Sequence, residues 1–510
     1  MRESTELASA ERQPSCNTGT MSKSPRALRA ELESSGALTT ALEVAAKGEG
    51  AHPVLNVAAA LVEQDAMTKA CGLGAVLQQL AALETAPEDL TTWLCARLRE
   101  NRPVAIAEYA EPVLAGLVMK CDEFANIHLL KTERPHPQVW NFRKSDGDLP
   151  VFGVGQCHLD GLAFLVKHLK DDLGFAKVKW FNMREEPVVF LNGQACAPRT
   201  AGNMNENVEY LMSIEGHELD AIEKRLCADC VAFANEAESK SIGCFYQLAN
   251  GDNEEKQLAT AEKTLPMRGG YDWLKTQPGA AVEYYRVPIA DETAPEEKDF
   301  DQLIAELRGA AAEDSCALVF NCQMGRGRTT TGMVAAAILC RASRGLGAVE
   351  VKKVGRDQAS EARNRTRGEF ASVLELLDLI DKATGGRGDE AKALADACCD
   401  ACAHAQNMVE AIVACESSAS KAEPGAARSP EFWRTRARNY LERYAYVVLF
   451  AAYARAGKES EIPNFKGSSL GRFPLVLADF WPSDHLSERS RSMDASFGTR
   501  ARGTLMLKRT

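Results

Sequence analysis

From residue 139 to 456 the chain alternates two kinds of apolar pattern. Short runs rich in β-branched and aromatic residues, at 149–155, 178–182, 187–191, 241–248 and 284–289, predict strands. Longer stretches with apolar residues three or four apart predict helices at 159–173, 207–239, 300–311, 369–382, 389–415 and 429–456. In the first of these Leu162, Leu165, Val166 and Leu169 share one face. The last opens Ser429-Pro430-Glu431, a good N-cap with proline at the first helical position. Asn192-Gly193 marks a tight turn. Strands alternating with helices predict an α/β domain over about 126–456, a central sheet flanked by helices.

Outside that domain the pattern weakens. Residues 1–50 are rich in Ser, Glu, Arg and Ala and are expected to be disordered, apart from a short helix around 25–44. Residues 56–84 and 88–102 have helical spacing, the second through Leu90, Trp93, Leu94 and Leu98. They predict a helical segment over 51–125, so that the domain carries extra helices at both ends. Residues 457–510 are expected to be loosely ordered. One faint repeat joins the two flanks: Ala-Gly-Leu-Val-Met-Lys at 115–120 resembles Arg-Gly-Thr-Leu-Met-Leu-Lys at 502–508.

Composition narrows the function. A chain of 510 residues allows more than one domain. Its net charge of −11 argues against general nucleic-acid binding, so a polyanionic ligand requires a local basic pocket. The 16 cysteines are scattered, the N-terminus is polar, and no apolar run approaches the ~20 residues of a membrane span. The expected setting is therefore cytoplasmic and reducing. The basic C-terminal run (Arg489, Arg491, Arg500, Arg502, Lys508, Arg509) reads as a solvated tail with at most peripheral membrane contact. Oligomeric state is not legible.

The chemistry concentrates in one stretch. Residues 316–321 predict a buried strand, 322–328 a glycine-punctuated loop, and the residues after Arg328 an apolar helix ending near Gly345. A bare Cys-x5-Arg carries little weight, because roughly one such pair arises by chance in a chain with this many cysteines. The context carries it. Gly325 and Gly327 let successive amides of Gln323, Met324 and Arg326 turn inward, forming an anion nest at a helix N-terminus. Such a nest stabilises a thiolate at Cys322 and holds phosphate oxygens while the sulfur attacks phosphorus. Arg328 grips two of those oxygens in a fork, and Thr329 donates a hydroxyl to the leaving sulfur. Arg326, a second cation in the nest, suits a ligand with several phosphates. The strand 284–289 delivers Asp291 on a loop bounded by Pro295, placing a general acid within reach, with Glu292 as a possible substitute.

Other constellations fall away. Cys227-x-x-Cys230 and Cys398-Cys399-x-x-Cys402-x-His404 lie in helical patterns and read as small buried hydrophobes. No metal and no cofactor is expected. Asn364-Arg365-Thr366 matches a glycosylation acceptor, irrelevant without secretion.

Asn141-Phe142-Arg143, Gly153-x-Gly155-Gln156, Arg184-Glu-Glu-Pro187, Asn192-Gly193, Arg286-x4-Asp291-x3-Pro295 and Cys322-x5-Arg328 occur in that order. This series resembles the paladin family of dual-specificity-type cysteine phosphatases, akin to microbial inositol-polyphosphate phosphatases (phytases). Ala403-x-Ala-Gln-Asn-Met408 and Tyr440-Leu-Glu-Arg-Tyr444 extend the resemblance to about 113–456. It implies a protein-tyrosine-phosphatase-like fold, with Cys322 as nucleophile, Arg328 as phosphate-binding arginine and Asp291 as general acid. It also implies Arg143 as a basic residue at the substrate pocket. Family members carry tandem copies of the unit, so 50–112 resembles the end of one copy and 500–510 the start of another. One departure stands out: most cysteine phosphatases have His before the nucleophile, and here it is Asn321.

The expected function is a phosphatase acting through a phosphocysteine intermediate. Inositol polyphosphates or phosphoinositides are the favoured substrates, ahead of phosphotyrosine. The alternative is a phosphatase-like scaffold that captures phosphorylated ligands without turnover.

Overall fold

The computed structural model describes residues 113–456, apart from 115, 125–127, 206, 208–213, 240, 260–263, 278–280, 346–348, 356–364 and 424–427. The expectations for 1–50, 56–84, 88–102 and 457–510, the repeat comparison and the Asn364 motif fall wholly or partly outside the described residues.

Two sheets form the frame. The strands are β1 (Leu117–Phe124), β2 (Arg143–Lys144), β3 (Val151–Val154), β4 (Lys177–Arg184), β5 (Val189–Leu191), β6 (Gln194–Thr200), β7 (Ser241–Gln247), β8 (Asn253–Ala259), β9 (Leu265–Pro266), β10 (Val282–Ile289) and β11 (Cys316–Asn321). The central sheet runs β10-β4-β11-β3-β2, parallel except at the β2 edge. The second runs β8-β7-β1-β6-β5-β9. Every residue of β11 is buried, as a middle strand covered on both faces requires.

The helices are α1 (Leu159–Lys167), α2 (Gly216–Glu236), α3 (Met267–Lys275), α4 (Glu297–Leu307), α5 (Gly327–Ser343), α6 (Ala371–Thr384), α7 (Gly388–Ala401), α8 (Met408–Lys421) and α9 (Pro430–Ala456). One face of the central sheet packs through Phe181, Leu318 and Phe320 against α4, α5 and the C-terminal helices. The other packs through Val178, Trp180 and Val319 against α1, α3 and residues of β5 and β6. A third cluster lies between the second sheet and α2. Among the described residues no helix is long and apolar enough to cross a membrane.

The structure departs from the sequence expectations at several places, and adds β6, β8 and α3, which no apolar pattern announced. Residues 117–124, assigned above to a flanking helical segment, form β1 between β6 and β7. The helix expected over 389–415 is two, α7 and α8, with Asn407 accepting from Glu410 N as the cap of the second. The helix expected over 207–239 starts at Gly216, capped reciprocally by Glu215 and Glu218.

A candidate phosphate-transfer site

The parallel strands of the central sheet aim their carboxyl ends at one place, the usual position for a site in an open α/β sheet. There β11 delivers Cys322, β3 leads to Gly155-Gln156, β4 to Glu186, and β10 to Asp291. The loop from Cys322 to Gly327 then feeds α5, whose first N–H groups have no intrahelical partner.

The loop's shape is enforced by its neighbours. Gly325 has φ +71°, and a Cβ there would stand 2.5 Å from Gly155 N. Only glycine fits. Gln156 N donates to Gln323 O at 2.9 Å, and Asn141 Nδ2 donates to Met324 O at 2.9 Å. Cys322 is buried, while Met324 and Arg326 face solvent. Asn321 is also buried: its Oδ1 accepts from Trp180 Nε1 at 2.8 Å and its Nδ2 donates to Gln156 Oε1 at 3.3 Å.

Arg328, on the first turn of α5, is held by two carboxylates. Nη1 meets Glu186 Oε1 at 2.7 Å and Ile289 O at 3.1 Å, and Nη2 meets Asp291 Oδ1 at 3.3 Å. Burial alone would lower the Arg328 pKa and raise that of Glu186. The mutual attraction wins, assisted by Asp291 and Cys322 on one side and Arg184 on the other. Arg328 is pushed up, and the Glu186 carboxyl is held down at about 2. Glu186 is in turn gripped by Arg184 Nε at 3.1 Å, and Arg184 pairs with Asp122 of β1. Arg286 fixes this corner from below, donating to Arg184 O at 2.7 Å and Glu186 O at 2.8 Å.

Asn207 closes the network. Its Nδ2 lies 3.0 Å from Glu186 Oε1, 3.2 Å from Gln323 Oε1 and 3.4 Å from Asp291 Oδ2. Asp291 itself is half-exposed. Glu292 does not stand in for it: its backbone has φ +60° and its carboxylate pairs with Arg436 of α9. The Thr329 hydroxyl is buried with no partner among the described residues, so it is uncommitted.

One expected role is corrected. Arg143 does not line the pocket, because it is buried behind the loop. Its Nη1 donates to Gly325 O at 2.7 Å and Asn141 O at 3.1 Å, and its Nη2 to Thr330 Oγ1 at 3.0 Å. It braces the nest from outside. Burial lowers its pKa to about 10, against the opposing pull of Cys322 and Cys402.

Sequence reading missed Glu186, Asn207, Asp122 and Arg443 as parts of the site. Glu186 and Arg443 lay within motifs already noted, Arg184-Glu-Glu-Pro187 and Tyr440-Leu-Glu-Arg-Tyr444. Asn207 and Asp122 had no local signal, because their partners are distant in the chain.

Cys227 and Cys230 sit on the buried face of α2, and burial pushes both thiols up. Cys398, Cys399 and Cys402 are buried likewise, and His404 turns instead to Asp146 at 3.1 Å. Among the described residues Cys121, Glu123 and His158 bring ligand atoms within 4.8 Å of one another. The set does not suit a metal. His158 Nδ1 accepts Ala195 N–H at 2.9 Å, so the neutral ring carries its proton on Nε2, facing Cys121.

The PTP-like phytase family, described by inositol hexakisphosphate, matches residues 181–340. Paladin of Gallus gallus is 27% identical over 379 residues, 72% of this chain and 41% of that protein. Paladin of Homo sapiens is 26% identical over 381 residues, 72% of this chain and 40% of that protein. The chain thus spans about two fifths of these relatives' length. A PTP-like phytase from Bdellovibrio bacteriovorus has a TM-score of 0.34 at 18% identity, covering 68% of this chain and 91% of its own. The PTP-like myo-inositol phosphatase of Mitsuokella multacida, solved with myo-inositol-(1,3,4,5)-tetrakisphosphate, has a TM-score of 0.40 at 14% identity, covering 80% and 55%. The fold class is mixed α/β and PTP-like with added C-terminal helices, as expected; the helices expected at the N-terminal end lie outside the described residues.

Proposed function

We propose that this chain, a paladin homologue with a PTP-like phytase domain, is a cysteine-dependent phosphatase for phosphate monoesters in a reducing, cytoplasmic setting. One observation carries the reading: Cys322 and Arg328 bracket a glycine-shaped nest, with Asp291 3.3 Å from the Arg328 guanidinium. Arg328 and the loop amides bind the phosphoryl oxygens. The Cys322 thiolate attacks phosphorus and the P–O bond to the alcohol breaks, while Asp291 protonates the departing oxygen. Water then attacks the phosphocysteine, Asp291 takes its proton, and the thiolate leaves as inorganic phosphate forms.

Inositol polyphosphates or phosphoinositide headgroups are the favoured substrates. The matching family is described by inositol hexakisphosphate, and exposed Arg326 offers a cation to a second phosphate. Comparing wild type with Cys322→Ser for phosphate release from these compounds tests the proposal; equal release from both proteins overturns it. A second reading, capture of phosphorylated ligands without turnover, is favoured by Asn321, which brings no charge to the position before the nucleophile. Binding by wild type without phosphate release would select that reading.

A further inference from the structure

The loop that carries Asp291 is tied down from the far C-terminal end of the fold. Arg443, on α9, is buried, and its Nε and Nη2 donate to Thr293 O at 3.2 and 2.7 Å. The same guanidinium abuts the nucleophile loop: a Cβ at Gly327 would stand 3.0 Å from Arg443 Nη1 and 3.2 Å from Gln406 Oε1. Its other neighbour is the Tyr440 ring, 5.1 Å away, and Gln406 Nε2 donates to the Tyr440 hydroxyl at 2.8 Å. About two turns of α9 earlier, Arg436 pairs with Glu292, next to Asp291.

This is a costly place for a cation. Among the described residues no carboxylate lies within ion-pair distance of Arg443, and burial lowers its pKa despite Tyr440, Asp291 and Glu292 nearby. A structural helix residue facing this core would be cheaper as Leu or Met. A guanidinium is the group that can reach a loop carbonyl with two N–H bonds while filling the space over Gly327.

We propose that Arg443 is a positioning residue: it ties the 290–295 loop to the nucleophile loop, so that Asp291 stands over the phosphoryl group. The inference rests on Asp291 acting as the general acid. It makes the C-terminal helix α9 part of the catalytic arrangement.

The test compares wild type, Arg443→Met and Arg443→Lys in the full chain, on inositol hexakisphosphate and on 4-nitrophenyl phosphate. Amide hydrogen exchange across 290–295 is followed in parallel. An alkyl leaving group needs the acid and nitrophenolate does not. Arg443→Met should therefore lower kcat on the inositol ester about tenfold more than on the nitrophenyl ester. KM should change little, and Arg443→Lys should recover part of the loss. Exchange at 290–295 should speed up while β11 and α5 stay protected. In an Asp291→Asn background Arg443→Met should add no further leaving-group effect.

Equal losses on both esters, with unchanged exchange at 290–295, overturn the inference and leave the phosphatase reading standing. Wild type inactive on both esters sinks the phosphatase reading instead. Exchange then decides the tether alone: faster exchange confined to 290–295 supports it and unchanged exchange overturns it. Arg436→Gln, which frees Glu292, provides a second variant should Arg443→Met fail to fold. Arg434→Ala, exposed on the same helix, is the control.

Discussion

Glu186 holds Arg328 at 2.7 Å in a pair whose side chains are only 3% and 2% exposed. Arg328 is thus oriented by the fold itself. Removing one partner of such a pair leaves a buried charge uncompensated, at a cost of about 3–5 kcal/mol. Glu186→Ala should lower stability by that order in urea unfolding. Phosphate release should fall on the order of 100-fold, because the guanidinium loses its fixed aim. Glu186→Gln keeps a hydrogen bond and should fall between the two.

The same pair sets an acid limit. The Glu186 carboxyl titrates at about 2 in the fold, against 4.5 for a free glutamate. A depressed carboxylate stabilises the fold fully above its unfolded pKa and loses that contribution as pH falls through the folded value. The contribution is on the order of 3 kcal/mol. Unfolding followed from pH 5 to pH 2 should show stability dropping with pH, with a shallower drop in Glu186→Gln. Parallel curves for the two proteins would refute the assignment.

The loop from Cys322 to Arg328 was legible in the sequence because all its signals are local: strand, two glycines, arginine and the apolar helix that follows. The central strands were legible for the same reason, as short local runs dense in β-branched and aromatic residues. The second sheet was legible only in part: the runs at 187–191 and 241–248 gave β5 and β7, while β1 and β6 did not show. Strand β1 carries Lys120 and Asp122 and β6 carries Pro198 and Arg199, so neither shows clean alternation. They become strands because they pair with each other, Lys120 opposite Ala197, and because Asp122 and Arg199 neutralise one another beneath the site. Glu186 and Arg443 lie in motifs the sequence displays, yet their partners do not show there. An arginine 1% exposed on a helix gives no sign in sequence that its partner is a loop carbonyl 150 residues away.

Arg143 offers a test that separates two roles. A cation in the substrate pocket would, when removed, mainly raise KM. A brace behind Gly325 would, when removed, mainly lower kcat, because the nest loses its shape. The structure gives Arg143 the second role through its bond to Gly325 O. Arg143→Met should reduce kcat about tenfold or more with KM near wild type. A raised KM with unchanged kcat would return Arg143 to the pocket.

Asn321 replaces the histidine most cysteine phosphatases place before the nucleophile, and the structure shows what the position needs. It needs one acceptor, for the Trp180 indole N–H, and one donor, toward Gln156 Oε1. A neutral imidazole offers that same pair, one nitrogen accepting and the other donating. Asn321→Leu offers neither and strands two buried polar groups, at about 1–3 kcal/mol each. Its stability should fall by about 2–6 kcal/mol, and the emission of buried Trp180 should shift as its N–H loses its partner. Asn321→His keeps both bonds and loses only through its larger ring, so it should cost less, about 1–3 kcal/mol by overpacking. Urea unfolding of the two variants decides between the accounts. If Asn321→Leu proves as stable as wild type, the bridge from Trp180 to Gln156 does not hold the nucleophile strand in register. If Asn321→His is the less stable of the two, volume and not hydrogen bonding explains why asparagine occupies the site.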